Sequence, residues 1–541
     1  MMKKLTISFA MLVFFISIMI LSPFSSKDLF AADGDSLFST YKVHTINIRF
    51  SQPNYWDSLI YYYNQGLEQY MSATVIANGI TFNNVGVRLK GNSSFTHPNN
   101  KKAFRLGFDE YVSGQKWNGM KGVHLNNFWN DPSFLREKLH LDYCQANNIA
   151  APRGNFVRMS INDTLFAFYS LVEHVDKTFL TSRFGSSNGD YFKAVDGIGT
   201  GADYISDFRW LGADSTLYYN NYELKSNLTN GPWKKLLTFI DTLNHTGDIA
   251  TMLPAQMNME PYYKTMAIDN VLGNLDSYIF SGRNFYIYFK PPTNKVDWIV
   301  WDATLSFGAL PGGPLNIETL PITYVGSDTG RPLFSRIVNN PALKHEYLLA
   351  LCRVYNTKFT TDALFPKIDS IVNLIRPYVY EDQRKMFTNQ QFETNVISDI
   401  TVSGRRIPGI KSYITLRRTS IQSQLNALGI DCSTGIDPNG QETVNTFELY
   451  QNYPNPFNPS TKIEYSLTKQ TGVTLVIYDA LGKQVTSLVN KELQNSGFYT
   501  VEWNGSDDAG NSMATGLYFM KLSVGDGSFE SSVTKKLVLI K

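Results

Sequence analysis

Apolar and polar residues alternate along Thr45–Phe50 and again along Val85–Leu89, the pattern of half-buried strands. Gly91–Asn100 is rich in turn residues and separates the second run from a third strand, Lys102–Phe108. A helix is predicted next, with Asp131 as N-cap and Pro132 at its first position; Leu135, Leu139 and Tyr143 then recur every fourth residue. Phe156–Ile161 and Phe166–Val172 read as a hairpin across Asn162 and Asp163. Between Asp176 and Leu428, helices such as Leu364–Ile375 and Ile414–Leu428 mix with a hairpin running from Asp276 to Asp302. The polar, Gly- and Pro-containing stretch Cys432–Asn445 predicts a linker over 432–446. Beyond it, Lys462–Leu467, Val473–Tyr478, Tyr499–Trp503, Gly516–Val524 and Val533–Ile540 predict a small antiparallel β-sandwich over 447–541.

The N-terminus changes this picture. Lys3 and Lys4 precede an apolar run from Leu5 to about Leu21, and Ala31-Ala32 offers a small-residue cleavage site. Residues 1–32 therefore read as a secretory signal peptide; a retained anchor is the alternative. A net charge of +2 supplies no field for nucleic acid, so none is expected as a partner. Cys144, Cys352 and Cys432 are widely spaced and form no metal motif. Buried free thiols are the expectation, and one disulfide the alternative.

Candidate chemistry centres on Asn274–Gly308. Asp276 lies in a polar loop, Asn284 opens a strand, and Asp302 follows a second strand behind Trp301. A phosphotransferase uses such a set: one carboxylate orients the attacking hydroxyl, while an Asn and an Asp hold Mg²⁺ on the nucleotide phosphates. The same spacing fits a structural hairpin with polar turns.

Two resemblances add to this. YQNYPNPFNPST at Tyr450–Thr461, then VIYDALGKQV, VEWNGSDDAGNSMATGLYFMKL and the terminal KKLVLIK, resemble the C-terminal sorting domain of proteins exported by the type IX secretion system. That resemblance implies recognition by the secretion machinery and an outer-surface destination, with attachment to lipopolysaccharide after sorting. VRLKGNSSF (Val87–Phe95), KKAFRLGF (Lys101–Phe108), DPSFLREKL (Asp131–Leu139), INDTLFAFYSLVEHVDKTFL (Ile161–Leu180), NLDSYIFSGRNFYIY and WDATLSFG together resemble the spore-coat protein H (CotH) family of atypical kinases. This implies an α+β chain: an atypical protein-kinase-like catalytic domain over 33–431, followed by the small Ig-like β-sandwich. It also implies phosphate transfer from ATP, with Mg²⁺ or Mn²⁺, to Ser or Thr of a protein substrate.

Under that resemblance Asp276 is the catalytic residue, and Asn284 and Asp302 are the metal ligands. Gly91 would let the backbone approach phosphate, with Asn92, Ser93 and Ser94 as donors. Arg88 and Lys90 share a strand face and are candidates to meet phosphate, or else a solvated edge. Lys102, on the face of Phe104, Leu106 and Phe108, is the candidate phosphate lysine, with Glu137 as its partner; Lys193 competes for the role. Glu173 would close a nucleotide hinge whose backbone continues through His174 and Val175; His174 itself reads as a surface residue. Two positions depart from the family pattern, Arg283 in place of His and Thr304 in place of a second acid. Thr304 motivates the rival reading, a catalytically degenerate surface-binding or adhesion protein. A glycoside hydrolase has no carboxylate pair to support it.

Overall fold

The computed structural model describes residues 33–39, 41–195, 205–226, 231–314, 316–326, 330–430, 432, 447–449, 452, 455–467, 470–495, 497–525 and 530–540. The expected signal peptide, and the linker beyond Cys432, lie outside the described residues. Contacts divide the chain into two compact units, Met1–Ser433 and Thr434–Lys541. Each is described by itself.

In the first unit, seven strands close a barrel. They are β1 (Val43–Arg49), β2 (Met71–Ala77), β3 (Ile80–Lys90), β4 (Ala103–Gly107), β5 (Gly122–Asn126), β6 (Gly154–Ile161) and β7 (Thr164–Glu173), in the order β1-β2-β3-β4-β5-β7-β6. Only β1 and β6 run parallel. The alternation visible in the sequence becomes the barrel interior: Val85, Val87, Leu89, Phe104, Leu106 and Phe108 are all buried there. The hairpin over Asn162 and Asp163 forms as expected between β6 and β7.

The helix Arg136–Ala146 packs outside β6. It begins one turn later than Asp131 and Pro132 predict. Phe134 takes a left-handed φ of +59°, and Asp131 reaches forward to accept from the Ser133 and Arg136 amides at 2.9 and 3.0 Å. Asp131 thus caps the helix at a distance, and Leu135 occupies the N-cap without a side-chain bond.

A second sheet, β11-β10-β8-β9, comprises β8 (Asp190–Ala194), β9 (Tyr222–Leu224), β10 (Phe285–Lys290) and β11 (Lys295–Val300). It packs with helices that include Met259–Val271, Pro341–Lys358, Thr361–Glu381 and Ile410–Ala427 into one large core. A short hairpin, β12 (Ile400–Val402) and β13 (Arg405–Ile407), completes the unit. Cys352 and Cys432 form a disulfide, Cα–Cα 5.2 Å, and Cys144 is a buried free thiol. The expectation of three free thiols is corrected: their spacing gives no hint that a helix residue meets one eighty positions later.

The second unit is two antiparallel sheets around one core. β14 (Phe447–Leu449), β15 (Thr461–Leu467) and β18 (Gly497–Trp503) form one; β16 (Thr471–Asp479), β17 (Gln484–Gln494), β19 (Gly516–Gly525) and β20 (Glu530–Leu539) form the other. The sequence pattern misses β17, whose Asn490–Glu492 stretch is polar and exposed. The α+β class and the Ig-like sandwich are as expected.

Candidate active site

Strand register assembles a polar face outside the barrel. Arg88 pairs with Arg105, Arg105 with His124, and Asn126 with Ser170. Arg88, Lys90, Arg105, His124, Asn126 and Ser170 therefore share one face, opposite the apolar interior. Glu137, in the first turn of the Arg136–Ala146 helix, lies against it. Its two oxygens accept from Asn126 Nδ2 and Ser170 Oγ, each at 2.8 Å. Lys90 Nζ donates to Asn126 Oδ1 at 2.7 Å and lies 5.6 Å from the centre of the Trp301 ring. Asn126 thus bridges the lysine and the glutamate.

These groups share one field. Burial depresses the Lys90 ammonium to about 8, against the attraction of Asp302 and Glu137. Burial, and then the charge of Asp302, raises the Glu137 carboxyl to about 7. Lys193 and Arg88 also act on Lys90. His124 and His174 meet at 2.9 Å, and burial with the neighbouring cations holds both well below the usual imidazole range. His174 is thus half-buried beside the site and not a surface residue. Arg88, Lys90, Arg105 and Lys193 gather near Glu137 and Asp302, with Arg88 also paired to Glu68 at 3.0 Å, a cationic cluster of the kind that meets phosphate.

The β10–β11 hairpin supplies the acids. Phe285 pairs with Val300, so Asn284 and Asp302 leave the sheet at the same end. Both have left-handed backbones, φ +61° and +49°, a conformation non-glycine residues hold only where the surroundings impose it. Asn284 Nδ2 donates to the Asp276 main-chain oxygen at 2.6 Å and to its Oδ2 at 3.1 Å. Its amide oxygen is the atom left for a cation. Asp276 is partly exposed between the buried Leu275 and Ser277. Thr304 Oγ1 donates to Asp302 Oδ1 at 2.8 Å, so the residue replacing the second acid occupies one oxygen of the first. No group of three or more His, Cys, Asp or Glu fit to hold a metal occurs among the described residues. The oxygens of Asp302 and Asn284 suit a hard cation that takes its remaining ligands from phosphate and water.

The Gly91–Ser94 loop leaves β3 next to Lys90. Gly91 has φ +102°, and a Cβ there would lie 2.2 Å from Ser94 Oγ, so glycine is required. Asn92 and Ser93 are exposed. Phe95 stacks on Tyr63 at 3.6 Å and Asn127 holds the Ser94 carbonyl, which fixes the loop from below.

Two expected residues are not brought to this cluster. Lys102 precedes β4 and gives its ammonium to the Phe95 and His97 carbonyls at 2.6 and 3.0 Å. Lys90, not Lys102, is the lysine beside Glu137. Glu173 is the last residue of β7 and falls on the Leu171 face, which lines the barrel. It is buried and bound by Arg153 and Arg183 at 2.6 and 2.8 Å, as a structural ion-pair network. Lys193, on β8 opposite Tyr286, does lie near Lys90.

Sequence reading missed the scaffold behind the acids. His140 Nδ1 meets Ser306 Oγ at 2.8 Å, and Ser306 Oγ donates to the Ala303 carbonyl at 2.8 Å. The hydroxyl proton being committed, His140 Nδ1 carries the other, and Nε2 lies 3.6 Å from Asp269 Oδ1, beyond hydrogen-bond reach. Burial raises the Asp269 carboxyl to about 7 and lowers His140 to about 3. The imidazole is therefore neutral, and Asp269 holds its proton up to about pH 7. Asp269 also accepts from Asn274 Nδ2 at 2.9 Å. A buried polar cluster, broken between His140 and Asp269, thus lies among the Arg136–Ala146 helix, the Asp276 loop and the Asp302 loop. It is no hydrolytic triad, because Ser306 is fully buried. Nearby, Arg136 donates to the Ser306 and Phe307 carbonyls, each at 3.0 Å. The signal available in sequence was only the i, i+3 spacing of Glu137 and His140 on one helix.

Comparison with known proteins matches this arrangement to a family. The model described as CotH kinase protein matches residues 87–421, and that described as FlgD Ig-like domain matches residues 458–528. The chain is similar to inner spore coat protein H of Bacillus subtilis, 26% identical over 302 residues, covering 54% of this chain and 77% of the relative. It is also similar to spore coat protein homolog 1 of Rhizopus delemar, 21% identical over 334 residues, covering 59% and 53%. Among solved structures, dimeric latent PorU from Porphyromonas gingivalis is 19% identical over 18% of this chain and 10% of its own, with a TM-score of 0.17. FlgD from P. aeruginosa is 24% identical over 15% and 61%, with a TM-score of 0.14. Those two likenesses carry no argument at such scores. The match over 87–421 takes in the barrel face, Glu137, Asp276, Asn284 and Asp302, and the chain belongs to the CotH kinase protein family.

Proposed function

We propose that this chain is an exported CotH-like kinase that transfers the γ-phosphate of ATP to a Ser or Thr hydroxyl of a protein. The observation that carries the reading is the convergence of Asp276, Asn284 and Asp302 at one hairpin end, with Asp302 in the same field as Lys90 and Glu137. Lys90, Lys193 and Arg88 bind the phosphates, and Glu137 holds Lys90 in place through Asn126. Asp276 orients the acceptor hydroxyl and takes its proton as the new O–P bond forms and the bond to the β-phosphate oxygen breaks, releasing ADP. Asn284 and Asp302 would hold Mg²⁺ or Mn²⁺, which would neutralise charge on the phosphates. Asn284 in turn fixes Asp276 through two hydrogen bonds.

The signal peptide and C-terminal motifs support export through the type IX secretion machinery to the outer surface, with attachment to lipopolysaccharide after sorting. The Cys352–Cys432 disulfide agrees with an oxidising compartment. The competing reading, a surface-binding protein on a degenerate kinase scaffold, draws on the Thr304–Asp302 bond. Labelled ATP with Mg²⁺ or Mn²⁺ and a protein acceptor separates the two. Wild-type protein should transfer label, and Asp276→Ala and Asp302→Ala should each lose about 10²–10³-fold. A folded wild type that neither binds nucleotide nor transfers label would leave the binding protein.

A further inference from the structure

The segment after Asp302 opens onto a cleft of about 310 Å³. Gly308, Leu310 and Gly313 form one wall; Ser403, Arg405 and Arg406 of the β12–β13 hairpin face them. The cleft reaches the Asp276 loop. A Cβ on Gly313 would lie 3.9 Å from Leu275 Cδ1, and Leu275 precedes Asp276.

The two arginines differ. Arg406 is neutralised by Glu318 at 2.5 Å and Asp399 at 2.6 Å. Arg405 forms no ion pair among the described residues. Its guanidinium reaches the Ala309 carbonyl at 3.3 Å, an acceptor without net charge. The nearby Arg136 repels it and has its own acid in Asp131. Arg405 is half-buried, so part of its hydration is already lost. A partly desolvated guanidinium with unused donors binds carboxylate well, often through two bonds. The cluster proposed above for nucleotide phosphate is a separate one, Lys90 with Asp302, Glu137, Lys193 and Arg88 around it.

We propose that this cleft is an acceptor-side subsite, in which Arg405 receives an Asp or Glu side chain lying within a few residues of the phosphorylated Ser or Thr. The proposal rests on the kinase reading and names its substrate class. Its geometry is that of a chain laid from Asp276 past Leu275 and Gly313 to the β12–β13 turn.

The test uses the full chain and a matched set of Ser peptides whose flanking positions carry Asp, Ala or Lys. Two quantities are read: kcat/KM for phosphate transfer, and peptide binding by fluorescence anisotropy without nucleotide. The wild type should favour the acidic peptide over the alanine peptide about tenfold in both. Arg405→Gln can keep the bond to the Ala309 carbonyl while removing the charge, and should bring that ratio near one. Arg405→Lys should retain most of it, and Arg405→Glu should favour the lysine peptide. An acidic preference that is absent in the wild type, or equal in Arg405→Gln, overturns the subsite. Acidic-peptide binding that depends on Arg405, with transfer to no peptide or protein, upholds the cleft and overturns the kinase reading.

Discussion

Lys90 and Lys102 flank one loop and meet different chemistry. Lys90 ends β3 on the polar face and shares Asn126 with Glu137, whereas Lys102 closes the far side of the loop against two carbonyls. Replacing Lys90 by Met should weaken nucleotide binding at least tenfold, since a charge-assisted bond contributes about 1.5–3 kcal/mol. Replacing Lys102 by Met should leave nucleotide affinity within about twofold and cost about 1–2 kcal/mol of stability, because it strips donors from the Phe95 and His97 carbonyls. Calorimetric nucleotide titration and thermal unfolding read the two effects; equal losses of affinity would contradict this division of roles. Strand parity placed Phe104, Leu106 and Phe108 inside the barrel and Arg88 and Lys90 on one face. It failed for Lys102 because β4 starts at Ala103, and parity holds only within a strand. Glu173 failed for another reason. A strand-end glutamate looks the same in sequence whether it meets solvent or two arginines, and Arg183 comes from the following helix.

Elements meet at this site in a buried polar cluster, and such clusters respond to pH. The buried Asp269, His140 and Ser306 cluster where the Met259–Val271 helix, the Arg136–Ala146 helix and the loop after Asp302 meet. Burial raises the Asp269 carboxyl from 3.8 to about 7, so between those pH values the folded state keeps a proton that the unfolded chain releases. Stability contributed by this group is therefore highest below its unfolded value and falls as pH rises to about 7. From pH 4.5 to 7.5, wild-type protein should lose about 2–4 kcal/mol more than Asp269→Asn, by unfolding at each pH. Parallel curves for the two proteins would remove Asp269 as the source. Regular elements were legible because their periodicity is local. The buried cluster was not, since it depends on residues brought together from three segments. The late start of the Arg136–Ala146 helix is similar: Asp131 is a capping residue, as its type suggests, but a left-handed Phe134 lengthens the approach.

At the scale of the whole molecule, sequence motifs located both folded units, because each carries its signature in contiguous runs. Long-range pairings stayed hidden. Lys101 and Asp382 form a fully buried ion pair at 2.7 Å across 281 positions, and nothing in either neighbourhood marks it. The Cys352–Cys432 bond is of the same kind, with 80 positions between its ends. A loop of that size restricts the unfolded chain enough that reduction should cost the first unit about 4–5 kcal/mol. Thermal unfolding with and without reductant, beside Cys352→Ser, measures it. An unchanged first-unit transition would show that the bond contributes nothing to stability. The position of that bond also has a mechanical consequence. Cys432 is the last described residue before the second unit, and its partner sits within the Pro341–Lys358 helix. A pull delivered through the C-terminal unit crosses the sulfur bridge and enters that helix directly. Arg353 to Ile430, including the β12–β13 turn and the Ile410–Ala427 helix, lie inside a covalent ring that tension bypasses. A chain tethered by its C-terminal end to a moving surface would therefore keep the Ser403–Arg406 wall of its arginine cleft out of the covalent load path while the tether is stretched.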